Sequence, residues 1–228
     1  MTLPRFARPC FAALAATLAV AACSDGAGTA AAAPGERSSF ELPNDHAIGS
    51  PDAPVTIVEY ASVSCGACAS WSNTVYPELK DKYIDTGKVR FVLREFPAGN
   101  YQLFLSGSMI ANCADDKNPG AFFDNVKLQF ERQNEIFRYA QQAPEQLRDQ
   151  YFYIAEQGGL SQEEAIACLS NEDVQADMET RIQSGYDLGV SGTPAFFING
   201  EKSDARTLEE FDEAIEAAIA ASAGTSGG

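Results

Sequence analysis

The sequence predicts an α/β fold with an inserted helical subdomain, on three observations. Apolar runs rich in β-branched and aromatic residues stand at 55–62, 88–96 and 195–199, each with the length of a buried strand. Two cysteines follow the first run, and a helical pattern begins directly after them. Between the second and third runs, residues 100–189 carry helical periodicity and several helix-start signals. A sheet covered by helices, with one long helical insertion, accounts for all three.

The first 22 residues have the character of an export signal rather than of a folded segment. Arg5 and Arg8 form a basic region, and the apolar run that follows is too short to span a bilayer as a mature helix. The run ends in Val-Ala-Ala before Cys23, which resembles a bacterial lipobox, so we expect Cys23 to be acylated and to become the new N-terminus. The alternative is ordinary cleavage after Ala21, which leaves Cys23 as a free thiol.

The segments that flank the predicted domain lack the residues needed for a core. Residues 23–44 are rich in Ala, Gly and Ser and are predicted to be a flexible tether, residues 45–222 the folded domain, and residues 223–228 a disordered tail. The formal net charge is −16, which argues against nucleic-acid binding. Anionic lipid also repels such a surface, so membrane association must come from the lipid anchor.

Local signals place the remaining elements in order. Residues 69–86 are predicted to form a helix that is kinked near Pro77, because proline removes a backbone donor. The capping box at 161–164 starts a helix inside the insertion. The pair at 199–200 is an Asn-Gly hairpin turn, and a second capping box starts a final helix over 207–219.

The two cysteines, Cys65 and Cys68, are separated by Gly-Ala at a strand-to-helix junction, which predicts a thiol-disulfide exchange centre. The helix dipole and free N–H groups at a helix start favour the thiolate of the first cysteine, and the second can resolve the mixed disulfide that the first forms. A zinc site or a purely structural bridge are the alternatives. Zinc needs about four ligands, and the single histidine, His46, is interpreted as a solvated loop residue. We expect no metal and no cofactor.

Three separate segments resemble the DsbA-like thiol-disulfide oxidoreductases of the thioredoxin superfamily. Residues 49–60 resemble the family's first strand and its lead-in, residues 88–97 its second central strand, and residues 190–200 its cis-proline loop and following strand. The resemblance covers most of residues 45–220 and implies a thioredoxin-like fold whose insertion is the family's helical subdomain. The Gly-Ala dipeptide between the cysteines carries no histidine or charge, unlike that of the most oxidising members, so redox direction stays open.

The resemblance also implies roles for residues near the thiols. Glu59 is expected to be a buried acid with a raised pKa that shuttles the proton of Cys68, although a strand-edge glutamate that reaches solvent is the alternative. Thr193 and Pro194 match the cis-proline position, where the backbone would pair with a substrate strand beside Cys65. An ordinary trans proline in a turn is the competing interpretation.

Two further cysteines, Cys113 and Cys168, fall in the predicted helical insertion. In an oxidising compartment a leftover even pair is usually bridged, so we predict a structural disulfide between them. Two free buried thiols and a second redox relay remain as alternatives.

These observations lead to one preferred function and two rivals. We expect a monomeric, lipid-anchored enzyme of the bacterial cell envelope that faces the periplasm. It would form or exchange disulfides in exported proteins with cysteines and be recycled by a membrane redox partner. A thiol reductase in the same compartment is one rival. A peptide-binding, chaperone-like module with an incidental thiol pair is the other.

Overall fold

The computed structural model describes residues 39–225. The strands are β1 (His46–Ile48), β2 (Val55–Ala61), β3 (Val89–Glu95), β4 (Ala195–Ile198) and β5 (Glu201–Ser203). The helices are α1 (Gly66–Thr74), α2 (Tyr76–Leu79) with its π-helical continuation Lys80–Ile84, α3 (Tyr101–Lys117), α4 (Ala121–Glu131), α5 (Gln133–Gln142), α6 (Pro144–Gln157), α7 (Gln162–Cys168), α8 (Glu172–Asp187) and α9 (Leu208–Thr225). Helices α3 to α8 all lie between β3 and β4, which confirms the predicted α/β fold with a helical insertion.

The five strands form one mixed sheet in the order β1-β3-β2-β4-β5. The central pair β2 and β3 is parallel, and the other three pairings are antiparallel. Every residue of β2 is buried, because helices cover both faces of the central sheet. Ile57 and Ala61 pack with Trp71 of α1, whereas Val58 and Tyr60 pack in the cluster on the opposite face. Side chains alternate along a strand, so Glu59 projects from the face that α1 covers.

The core on the α1 face is built around Trp71. Its ring lies 4.6 Å from that of Phe196 in β4 and 5.6 Å from that of Phe211 in α9. The helical insertion has a separate apolar cluster that includes Ile110, Ile154 and several buried methionine and cysteine side chains. Trp71 thus attaches α1 to the sheet and to α9, which supports the segment that starts α1.

The helix predicted over 69–86 is divided in the structure. Helix α1 ends at Thr74, Val75 separates it from α2, and Pro77 lies in the first turn of α2, where its missing N–H is not needed. Beyond α2 the chain widens into a π-helical turn that Asp85 closes by donating its N–H to the Lys80 carbonyl, 2.9 Å away. Proline therefore starts a new helix rather than only bending one.

The interpretation of His46 as a solvated loop residue is wrong. His46 begins β1, its side chain is 11% exposed, and its ring stacks on Phe122 at a centroid distance of 3.6 Å. Its ring nitrogens lie 2.8 Å from Oδ1 of Asn112 and 3.1 Å from Oδ2 of Asp115. Pairing of the short strand with β3 and a polar pocket on the insertion hold this residue, and neither leaves a local pattern in the sequence.

The ends of the domain extend further than expected. Residues 39–44, assigned to the tether, contact the sheet: Arg94 donates to the Phe40 carbonyl at 2.6 Å, and Arg90 pairs with Glu41. Helix α9 continues to Thr225, past the predicted start of the tail. The export signal and Cys23 lie outside the described residues. Within residues 39–225, no helix is both long enough and apolar enough to cross a bilayer.

The predicted capping and turn signals are confirmed. Ser161 and Glu164 exchange the two hydrogen bonds of a capping box at the start of α7. Glu210 and Thr207 do the same before α9. The turn between β4 and β5 has positive φ at both Asn199 (47°) and Gly200 (82°), the backbone geometry that favours Asn-Gly in a two-residue hairpin.

Candidate active site at the start of helix α1

Cys65 is the N-cap residue of α1, directly above the carboxyl end of β2. Its Sγ accepts the backbone N–H of Cys68 at 3.3 Å, and its thiol reaches the Thr193 carbonyl, also at 3.3 Å. Cys65 is half-buried and forms no disulfide, so part of the residue is open to solvent.

The environment of Cys65 favours its thiolate. Its pKa is lowered to about 5, first by a hydrogen bond from the Cys68 side chain and further by Thr193 and by the backbone N–H groups of Ala67 and Cys68, while burial opposes these effects. Helix N-termini stabilise negative charge in the same way. At neutral pH Cys65 is therefore a nucleophile and a good leaving group.

Cys68 has the opposite properties. It lies one turn into α1, is completely buried, and is a free thiol. Burial raises the pKa of Cys68 well above its ordinary value, and the hydrogen bond with Cys65 and the charge of Glu59 raise it further. Cys68 thus keeps its proton while Cys65 loses one.

Glu59 is a buried carboxyl group on the same side of the sheet. It is 2% exposed, lies between Leu93 and Phe196 on the neighbouring strands, and its Oε1 has no hydrogen-bond partner among the described residues. Burial raises its pKa to about 8, and the charge of Cys65 adds to the effect. An acid that holds its proton near neutrality, beside a thiol that must gain and lose one, is suited to proton transfer.

The loop before β4 brings a second segment to the thiols. The Thr193–Pro194 peptide bond is cis, and Thr193 contacts Cys65 through its carbonyl. Antiparallel pairing of β4 with β2 brings this loop, more than a hundred residues from Cys65 in sequence, to the start of α1. Between the loop and the outer face of α1 lies a groove of about 570 Å³. It is lined by Ala67, Ser70, Trp71, Thr74, Val75, Ser191, Gly192, Thr193, Pro194, Ala195, Lys202, Asp204 and Arg206.

Gln133 of α5 is a contact that sequence reasoning missed. It is 6% exposed, and its Nε2 donates to the carbonyls of Val63 at 2.8 Å and of Cys65 at 3.1 Å. These bonds attach the helical insertion to the loop that carries Cys65. A polar residue at the start of an unremarkable helix gives no local sign of this role.

The remaining predicted site residues lie elsewhere. Cys113 of α3 and Cys168 of α7 form a disulfide inside the core of the insertion, with their Cα atoms 6.2 Å apart. Among the described residues, no group of three His, Cys, Asp or Glu side chains is placed to hold a metal ion.

Comparisons with known proteins agree with this geometry. A family model described as Thioredoxin matches residues 41–217. Proteins named as protein-disulfide oxidoreductases from Rickettsia prowazekii and Rickettsia bellii are 33% and 34% identical, each over 77% of this chain and over 62% and 65% of their own length. The chain therefore spans less than two thirds of these curated relatives.

Solved structures give the same fold. A crystal structure of Wolbachia pipientis alpha-DsbA1 matches with a TM-score of 0.69 and 27% identity, covering 81% of this chain and 96% of that one. Oxidised BdbD from Bacillus subtilis matches with a TM-score of 0.65 over 76% of this chain and 92% of its own, and at 19% identity it is a likeness of fold.

Proposed function

This chain belongs to the thioredoxin family, in its DsbA-like branch, and from that membership we propose that it introduces disulfide bonds into exported proteins through Cys65 and Cys68. The observation that carries the proposal is the stabilised thiolate of Cys65, with a pKa of about 5, beside a buried Cys68 that keeps its proton. A peptide-binding module with an incidental thiol pair would have no need of such opposed thiols.

The same observation favours oxidation over reduction of substrates. Only the dithiol form of the protein carries the Cys65 thiolate, so whatever stabilises that thiolate stabilises the dithiol form relative to the disulfide. A protein whose reduced form is stabilised takes electrons from its substrates, as in strongly oxidising thiol proteins. The dipeptide between the cysteines carries no charge that could stabilise the thiolate, and hydrogen bonds to Cys65 stabilise it instead.

The reaction balances as a transfer of two electrons. A substrate thiolate attacks Sγ of Cys65 in the oxidised protein, the Cys65–Cys68 bond breaks, and its electron pair goes to Cys68. Protonated Glu59 supplies the proton that makes Cys68 a neutral thiol, and Glu59 regains one from solvent. A second substrate thiolate attacks the substrate sulfur of the mixed disulfide, so Cys65 leaves as a thiolate and the substrate gains a disulfide.

Thr193 and Pro194 are proposed to hold the substrate during these steps. An extended substrate segment would pair with the backbone of Thr193, which lies beside the reactive sulfur. Strand addition is tolerant of sequence, because backbone groups supply the hydrogen bonds.

We place the protein in the bacterial cell envelope, facing the periplasm, where disulfides persist. Acylation at Cys23 would anchor it, and a membrane redox partner would accept its two electrons and restore the Cys65–Cys68 disulfide. Intact-mass measurement of the membrane fraction checks the anchor: acyl chains on Cys23 are expected, and an unmodified Cys23 thiol behind a new N-terminus at Ala22 would contradict it.

Trapping of mixed disulfides tests the roles proposed for Cys65 and Cys68. Cys68→Ala should accumulate mixed disulfides with envelope proteins through Cys65, because the Cys65 thiolate can attack substrate disulfides in the reverse direction and Cys68 is missing to resolve the product. The matched variant Cys65→Ala should trap none, because it lacks the attacking thiol. Mixed disulfides through Cys68 alone would reverse the assignment.

Oxidation of a reduced, unfolded protein substrate tests whether the protein oxidises or reduces its substrates. The oxidised protein should form one substrate disulfide for each Cys65–Cys68 disulfide consumed. Its reduction potential against glutathione should lie above the roughly −270 mV of thioredoxin and toward the roughly −120 mV of DsbA. A potential near the thioredoxin value would support a reductase, and absence of exchange in either direction would support a binding module.

A further inference from the structure

The basic side chains of this acidic protein are mostly neutralised by ion pairs. Among the lysines and arginines of residues 39–225, all but three have a carboxylate oxygen within 4.0 Å. The three without one are Arg138, Lys202 and Arg206. Two of these, Lys202 and Arg206, line the groove beside α1. Two of the three unpaired cations therefore lie in the groove that Thr193 and Pro194 also line.

Contacts hold the guanidinium of Arg206 at the groove wall. Its Nη1 donates to the Ala205 carbonyl at 2.6 Å, and its Cζ lies 5.5 Å from the centre of the Phe196 ring. That ring packs against Trp71, which is itself a groove residue. A guanidinium with a single hydrogen-bonded nitrogen keeps further N–H donors available for a carboxylate.

The nearby carboxylates offset this charge only in part. Hydrogen bonds from the backbones of Arg206 and Thr207 lower the pKa of Glu210, and the charge of Arg206 adds to this effect, so Glu210 attracts Arg206 without an ion pair within 4.0 Å. Glu210 is occupied by the capping box, where its Oε2 accepts the backbone N–H groups of Arg206 and Thr207 at 2.7 and 3.0 Å. Asp204 also lines the groove, and it forms no ion pair within 4.0 Å with either cation. Two cations and one anion leave the groove lining positive in a chain whose formal net charge is −16.

Two electrostatic effects on substrate choice therefore oppose each other. The net charge attracts basic substrates from a distance, whereas Arg206 and Lys202 attract acidic groups at contact. At physiological ionic strength the Debye length is about 8 Å, so charges spread over the surface are largely screened, whereas a direct contact in the groove is screened less. The local effect should decide which segment binds.

We infer that the groove selects substrate segments that carry an acidic side chain near the reacting cysteine, with Arg206 as the main specificity residue and Lys202 as the second. The inference rests on the proposed thiol-disulfide function for the identity of the substrate. It concerns the groove charge alone, so it can fail while that function stands.

The test compares three reduced two-cysteine peptides that differ only in having Asp, Asn or Lys at the positions flanking the cysteines. The oxidised full-length protein should oxidise the Asp peptide with a kcat/KM about threefold or more above that of the Asn peptide, a preference expected from one or two exposed ion pairs. The Lys peptide should be the slowest. Raising the salt concentration should reduce the differences.

Arg206→Gln should bring the Asp and Asn peptides to within about twofold of each other. Lys202→Gln should reduce the preference by less. Arg138→Gln, which removes the unpaired arginine outside the groove lining, is the matched control and should keep the wild-type preference. Preference for the Lys peptide, or an Asp preference that survives Arg206→Gln, would overturn the inference.

Binding of the same peptides with serine in place of cysteine, followed by fluorescence anisotropy, separates the two proposals. If no peptide is oxidised but the Asp version binds best and loses this advantage in Arg206→Gln, the proposed function fails and the charge selection stands. If all peptides are oxidised at equal rates and bind equally, the function stands and the charge selection fails.

Discussion

Three titratable side chains within one small region have pKa values shifted in different directions. Hydrogen bonds lower the pKa of Cys65 to about 5, whereas burial raises that of Glu59 to about 8 and raises that of Cys68. Near neutral pH the sulfur of Cys65 is therefore anionic, whereas the buried Cys68 and Glu59 keep their protons. Groups whose environments drive their pKa values apart are typical of acid-base chemistry.

The thiolate of Cys65 should be visible in a pH titration of the reduced protein. Its ultraviolet absorbance should appear with a midpoint near pH 5. Because this folded-state pKa is depressed from 9.0, its stabilising contribution is complete above about pH 9 and is lost as pH falls to about 5. Thermal unfolding of wild type against Cys65→Ser checks the sign. A difference that grows toward low pH would contradict it.

Replacing Glu59 with glutamine should have two effects. Formation of the mixed disulfide by the oxidised protein, and its resolution by Cys68 in the reverse direction, should slow near neutral pH more than substrate binding weakens, because proton transfer to or from Cys68 rather than docking is impaired. The variant should also gain stability over wild type as pH rises from 4.5 toward 8, since wild type must keep the proton on Glu59 that the unfolded chain releases. Rapid-quench kinetics and unfolding at several pH values measure both. Unchanged rates of both steps would remove Glu59 from proton transfer.

At the scale of elements, the active-site loop is held from two sides. The cis-proline loop before β4 reaches it through Thr193, and α5 of the insertion reaches it through Gln133. The Gln133 bonds go to backbone carbonyls of the loop and position it, whereas the Thr193 carbonyl accepts from the Cys65 thiol itself. The insertion therefore supports the segment that carries Cys65, besides covering the sheet.

Gln133→Leu tests this support. It removes the side-chain donor to the Val63 carbonyl and one of the two donors to the Cys65 carbonyl, which keeps the Ala69 N–H. The free energy of unfolding should therefore fall by about 1–3 kcal/mol, and alkylation of Cys65 should change in rate. Gln142→Leu, an exposed change at the other end of α5, is the control and should be near neutral. Denaturant unfolding and timed alkylation provide the measurements. Equal behaviour of the two variants would show that Gln133 does not position the loop.

At the scale of the whole molecule, a buried polar network joins the insertion to the sheet. Arg181 of α8 donates to the Glu95 carboxylate at 2.6 and 3.0 Å and to Asn112 at 2.6 Å. The attraction of Arg181 lowers the pKa of Glu95 against the opposing effect of burial. Because Asn112 also contacts His46, the network spans β1, β3, α3 and α8. The insertion is thereby fixed on the sheet by charge as well as by apolar packing.

The Cys113–Cys168 disulfide should be independent of the active-site pair, because it lies in the separate core of the insertion. Non-reducing peptide mapping of the Cys65→Ser, Cys68→Ser variant should still find it. Replacing both insertion cysteines with serine should reduce stability by up to roughly 4 kcal/mol, the chain-entropy value for a loop of this length, and leave the Cys65 titration unchanged. Free thiols at both positions in the mapped variant would refute the bridge.

Local pattern was sufficient for the fold class and for the order of the long strands and helices. Buried strands, caps and Asn-Gly turns are encoded by residues close together in sequence, which is why 55–62, 88–96 and 195–199 were located within about one residue of β2, β3 and β4. The short strands β1 and β5 were missed, because three residues are too few to form a pattern.

The sequence by itself determined the fold, the spacing of the thiol pair and the position of Glu59 on a buried strand. Only the tertiary structure decided how these groups titrate, which helix supports the loop, and that His46 is packed rather than solvated. The physical reason is that these properties depend on contacts between distant segments: Gln133 lies 68 residues from Cys65 and His46 lies 66 from Asn112. Burial and hydrogen bonding across such distances set pKa values and leave no periodic trace in the chain.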